Sequence, residues 1–127
     1  MNAQEIFDTV VRHLGKQRAK ALKEGSNHIC MYRAFDGKKC ALGILIQDNE
    51  YTPKMENRTA WGLKYEKLLP LRLVEHFDLI RELQDCHDDY PVEDWPLQLK
   101  TIAVVRDLIS DAVSESFRDC ESGNLKD

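Results

Sequence analysis

The stretch HICMYRAFDGKKCALGILI, His28 to Ile46, decides how this chain is read. Asp36-Gly37 is a two-residue hairpin signal, and the residues after it alternate, with Cys40, Leu42, Ile44 and Ile46 on one face and Lys39, Ala41, Gly43 and Leu45 on the other. A two-residue turn sets Phe35 opposite Lys38, so that paired residue numbers sum to 73 and Arg33, Met31 and Ile29 stand opposite Cys40, Leu42 and Ile44. That face is apolar. The other face carries His28, Cys30, Tyr32 and Ala41, with Gly43 leaving a gap in front of Cys30. A glycine inside a strand marks a bulge or the close approach of another backbone or a ligand, and packing of the first helix there is the alternative. The expectation is a β-hairpin.

The same register separates the thiols. Cys30 faces Gly43 and Cys40 faces Arg33, on opposite faces and roughly 10 Å apart along the strand, beyond the reach of a disulfide. With no Cys-x-x-Cys pair and no secretory pattern, Cys30, Cys40, Cys86 and Cys120 are expected as free thiols.

Outward from the hairpin the chain reads as helices. Asn2 and Glu5 form an approximate capping box, and Ile6, Val10 and Leu14, flanked by Phe7 and Val11, make an apolar stripe. That helix turns basic and Ala-rich to Leu22 and stops near Gly25. Residues 47–69 are irregular, with short helical turns at most. Pro70 opens a second helix through Leu73, Val74, Phe77, Ile80 and Leu83 to about His87, residues 88–94 form an acidic loop around Pro91, and Asp94-Trp95-Pro96 opens a last helix reaching Phe117. The predicted fold is α+β, with three main helices packed around one antiparallel β-hairpin or small sheet, a single domain over 1–120 and a frayed polar tail over 121–127.

A chain of 127 residues with 43% hydrophobic and 31% charged residues has the composition of one globular domain. It shows no signal-peptide pattern and no apolar run of the ~18 residues a membrane span requires, so a cytoplasmic, non-membrane protein is expected. Residues 1–64 hold 11 Lys/Arg against 7 Asp/Glu and residues 65–127 hold 7 against 15, which makes the chain bipolar, +4 and −8. The basic end comprises the first helix and the hairpin tip, and the acidic end includes Asp85, Asp88, Asp89, Glu93 and Asp94. A net charge of −4 argues against a duplex nucleic-acid binder.

The run Cys30-x-Tyr32-Arg33-x-x-Asp36-Gly37-x-Lys39-Cys40-Ala41-x-Gly43-x-Leu45-Ile46, followed by Asp48, Tyr51, Pro53 and Met55-Glu56, resembles a family of small uncharacterised proteins of bacteriophages and prophages. Leu83-Gln84 and His87-Asp88 ahead of a tryptophan extend the resemblance over roughly residues 3 to 115. It implies a viral origin and no particular reaction, in a setting where short acidic proteins act by binding host components.

Four chemistries compete. Cys30 or Cys40 with His87 and Asp88 would supply a thiolate, a base and an orienting group, although a small strand cysteine is the ordinary packing residue. His28, Cys30, Cys40, Cys86, His87 and Cys120 are soft ligands without the close pair that structural zinc uses, so no metal and no cofactor are expected. Tyr32, Arg33, Asp36, Lys39 and Trp61 are the candidate set for a nucleotide-like anion, bound or hydrolysed. Asp88, Asp89, Glu93, Asp94 and Trp95 are the candidate surface for a partner, with Tyr51, Tyr90 and Trp61 as further aromatic anchors. The sequence favours the last: a non-enzymatic phage or prophage accessory protein that binds a host protein, of host-takeover or anti-defence type. The nucleotide-like ligand is the alternative.

Overall fold

The first helix, α1 (Ala3–Gln17), forms where its cap and stripe place it. Asn2 Oδ1 accepts the Glu5 amide at 2.8 Å and Glu5 Oε1 accepts the Asn2 amide at 3.0 Å, and Ile6, Phe7, Val10, Val11 and Leu14 are buried. It ends earlier than the composition suggests. Arg18 takes a left-handed conformation (φ 51°), and its side chain reaches the carbonyls of Gly15 and Ser116, while the Ala21 amide and carbonyl bond elsewhere. Helix-forming residues from Arg18 to Leu22 are thus overridden by tertiary partners.

The computed structural model describes residues 1–119; Cys120 and the tail 121–127 lie outside them. Among the described residues there are seven α-helices and no strand, which overturns the α+β expectation and its hairpin. Two isolated antiparallel bridges, Leu22 with Cys30 and Arg33 with Lys39, are the nearest approach to a sheet. The pairing sums to 72 and not 73: the Ala34 amide donates to the Lys38 carbonyl at 2.8 Å, leaving Phe35-Asp36-Gly37 as a three-residue turn with Gly37 at φ 89°.

After Lys39 the chain coils. Cys40 caps α2 (Ala41–Leu45), its Sγ accepting the Gly43 amide at 3.3 Å. The apolar run 40–46 is too short for periodicity to separate strand from helix, and Ala41, Leu42 and Leu45 share one buried helical face. Gly43 marks a close backbone approach, as glycine there implies, but to Tyr32: a Cβ would stand 2.0 Å from the Tyr32 carbonyl oxygen.

A 3₁₀ turn (Pro53–Met55) and α3 (Ala60–Tyr65) follow. The helix expected from Pro70 is two helices, α4 (Leu71–Val74) and α5 (Phe77–Asp89), broken at Glu75-His76. A second 3₁₀ turn (Val92–Asp94) leads into α6 (Trp95–Val105), and α7 (Asp111–Ser116) closes the described chain. The last helix expected through Phe117 also breaks, at Arg106 to Ser110, where Asp107 is left-handed (φ 56°) and the Gln4 side chain takes both the amide and carbonyl of Ile109 at 2.9 Å. Helices α1, α2 and α5 pack together at the centre, with α7 on α1 and α6 on α5. Gly15 permits the α1–α7 contact, since a Cβ there would meet Ser116 Cβ at 2.5 Å. No helix among the described residues is long and apolar enough to cross a membrane.

Candidate functional site

Residues 18–59 contain little helix, so their buried amides need side-chain acceptors. Glu56, itself buried, is the first. Its Oε1 accepts the Tyr32 amide at 2.9 Å, and its Oε2 accepts the Arg33 amide at 3.1 Å and the Tyr51 hydroxyl at 2.7 Å. Burial, then the Glu56 hydrogen bond, pushes Tyr51 up to about 12. The Arg33 guanidinium lies 4.6 Å from the Tyr51 ring centre, donates to the Ile46 carbonyl at 3.1 Å and pairs with Asp48 at 2.8 Å. Tyr32 is buried and its hydroxyl donates to the Arg58 carbonyl at 2.5 Å.

The second set of acceptors comes from α5. Gln84 Oε1 accepts the Leu42 amide at 2.8 Å, in the first turn of α2, and its Nε2 donates to both Asp88 oxygens at 3.0 and 3.1 Å. His87 is fully buried, its ring stacked 5.6 Å from Trp95, and its Nε2 accepts the Ala21 amide at 3.1 Å. The proton therefore sits on Nδ1, which donates to Asp88 Oδ1 at 2.6 Å. Burial opposes the Asp88 charge, but hydrogen bonds from His87, Gln84 and Cys30 prevail and hold its carboxyl below the usual range. Cys30 is pushed up to about 12 by burial and then by the neighbouring Asp88 charge.

The structure thus gathers Cys30, His87 and Asp88, with ligand atoms within 4.8 Å of one another, and leaves Cys40 apart as the buried α2 cap, its thiol also raised by burial. The order of groups opposes nucleophilic catalysis. The carboxylate stands between thiol and imidazole, both ring nitrogens are engaged, and the thiol is the stable form, whereas a cysteine nucleophile needs the thiolate beside a base. The same proton placement opposes a metal. A cation on Nδ1 would require Nε2 to carry the hydrogen, and Nε2 faces the Ala21 N–H. The cluster fits a structural role. Its signal in the sequence is polar Gln84 and His87 on the apolar face of α5 that Ile80 and Leu83 define.

Above this network lies an open groove of about 540 Å³. One side is residues 28–32, another is residues 57–61, and α5 supplies Arg81, Gln84, Asp85, Asp88 and Asp89. The Asp85 carboxyl is raised above its ordinary value by burial and then by the Asp89 charge. Trp61, 55% exposed, meets Phe77 edge-on at 4.7 Å, with the Lys64 and Arg81 cations near its ring.

Of the anion-binding set, Tyr32 and Trp61 line this groove. Arg33 is spent on Tyr51, Ile46 and Asp48; Asp36 bonds Lys38 within the turn; the Lys39 backbone is held by Gln17 and His13. Of the partner set, Asp88 and Asp89 line the groove, and Glu93 and Asp94 are exposed on the 3₁₀ turn before α6. Trp95 is wholly buried, its Nε1 donating to the Tyr90 carbonyl at 3.1 Å, so it packs the interior and is no surface anchor.

The described residues define a helical protein without strands, whose groove carries Asp85, Asp88 and Asp89 beside Arg58 and Arg81 over a polar network centred on the buried His87 and Gln84. Compared with protein-family models, curated proteins and solved structures, the chain finds no match in any of the three.

Proposed function

We propose that this chain is a non-enzymatic binding protein whose groove receives a basic segment of a partner protein. The observation that carries the reading is the pair Asp85 and Asp89, one turn apart at the C-terminal end of α5, sharing one groove with the half-exposed Trp61 ring. A helix C-terminus is the negative end of the backbone dipole, where cations are favoured and carboxylates are not. The Asp85 carboxyl is raised first by burial and then by the Asp89 charge, and Arg81, one turn earlier, offsets only part of this by pairing with Asp85 at 3.4 Å. A lysine or arginine side chain would pair with Asp89 and lay its apolar stem along the half-exposed indole, whose ring already has the Lys64 and Arg81 cations beside it. The resemblance to bacteriophage and prophage proteins supports a bacterial host protein as the source of the segment, with a cytoplasmic setting.

The test is fluorescence anisotropy with a labelled arginine- and lysine-rich peptide. Binding should weaken with salt, and Asp85→Asn with Asp89→Asn should weaken it about 10-fold or more. Removing the same charge from α7, with Asp111→Asn and Glu115→Asn, should leave it nearly unchanged. Equal losses from the two pairs would reduce the effect to net charge and sink the groove reading.

A further inference from the structure

Helix α6 is built unlike α1 and α5, which are apolar on one side. Trp95, Leu99 and Ala103 face the interior, and a second stripe of Leu97, Thr101, Val104 and Val105 runs along the opposite side at the same helical spacing. Leu97 is 66% exposed, Val104 80% and Val105 72%, and Ile109 beyond the helix end is 63% exposed. Apart from Gln98, Lys100 and Thr101 the helix is apolar on both sides, a pattern that belongs in an interior. Here the outer half faces water.

We infer that this α6 face is the interface of a two-fold homodimer, in which α6 of one copy packs antiparallel on α6 of the other. Three observations select a second copy. The stripe itself carries no charged side chain, so nothing in it chooses a partner by sign, whereas a two-fold contact must be complementary to itself and an uncharged apolar stripe is. With the axis at Thr101, Leu97 of one copy meets Val105 of the other, a larger side chain against a smaller one, as close helix packing requires. The four exposed side chains present on the order of 500 Å² of apolar surface, and the polar residues flanking them bring the contact toward the ~800 Å² per partner of a stable interface. This face lies on an element that does not line the groove, so both surfaces remain available at once.

Sedimentation velocity from low to high micromolar protein tests the inference. The full chain should sediment with twice the chain mass, and Val104→Asp with Val105→Asp should weaken association about 100-fold or more while circular dichroism and thermal midpoint stay as in the parent, since both positions are exposed. Because a charged variant can misfold, p-benzoylphenylalanine in place of Val104 gives an independent readout. A light-induced crosslink between two α6 segments is expected. A monomer throughout the range, a dimer that survives both aspartates, or a crosslink confined to residues 120–127 of the same chain would overturn it.

Discussion

In α1 the backbone bonds to itself and its inward side chains are simply apolar; between Arg18 and Leu42 the backbone has almost no helix, and five of its amides end on side chains borrowed from elsewhere. Ala21 donates to His87, Tyr32 and Arg33 to Glu56, Lys39 to Gln17, and Leu42 to Gln84. Both regions satisfy the rule that buried backbone groups are paired. They differ in fragility. An apolar stripe loses one contact at a time, whereas a side-chain acceptor that is removed leaves a buried donor stranded, which costs more than the bond itself contributes.

The largest expected effect breaks the threaded region at its tightest point. Gly43→Ala drives a Cβ into the Tyr32 carbonyl, a backbone clash that neither side can yield to cheaply, and should cost more than about 3 kcal/mol in urea unfolding or prevent folding. Retention of parental stability would show that the chain does not cross there. Next, Gln84→Leu and His87→Phe keep bulk but strand the Leu42 and Ala21 amides, and each should lose about 2–4 kcal/mol. Hydrogen exchange at those two amides should accelerate in the matching variant, and unchanged exchange at both would break the comparison.

Asp88 sharpens it through pH. Its folded carboxyl lies below the unfolded value, so its contribution is fully present above the unfolded value, about pH 4, and is lost as pH falls through the folded value. Asp88→Asn should lower stability at neutral pH by about 1–2 kcal/mol and flatten the loss of stability below pH 4. A variant with the parental acid profile would remove Asp88 from the account. The smallest effect concerns the thiols: Cys30, only partly buried but raised to about 12, should react with a thiol reagent at pH 8 far more slowly than an exposed cysteine, and a fast stoichiometric reaction would contradict the hydrogen bond to Asp88.

These contrasts explain what the sequence disclosed. The α1 cap and stripe and the apolar face of α5 are local signals, and they are where the structure has them, while Asp36-Gly37 does turn the chain but in a loop one residue longer than expected. Cys40 to Ile46 forms a helix and not a strand because a run this short and this apolar carries no information about its period. The helix breaks at 75–76 and 106–110 carry no glycine or proline; the second is held by Gln4, more than a hundred residues away. The acidity of Asp85 to Asp94 was plain in the sequence, but which acids line a groove depends on where α5 lies against Trp61. Tyr32, Arg33, Tyr51 and Glu56 are neighbours in one hydrogen-bonded knot, and Cys30, Gln84, His87 and Asp88 in the other. Both knots tie down the segment between α1 and α2.

Cys30, His87 and Asp88 are structural, with His87 holding the Ala21 amide. Long-range ¹H–¹⁵N correlation spectra of the imidazole test it directly. A protonated, pyrrole-type nitrogen at Nδ1 and an unprotonated acceptor at Nε2 are expected, unmoved by added Zn²⁺. A proton on Nε2, or a Zn²⁺-induced shift at Nδ1, would contradict it and return the cluster to metal or catalytic chemistry.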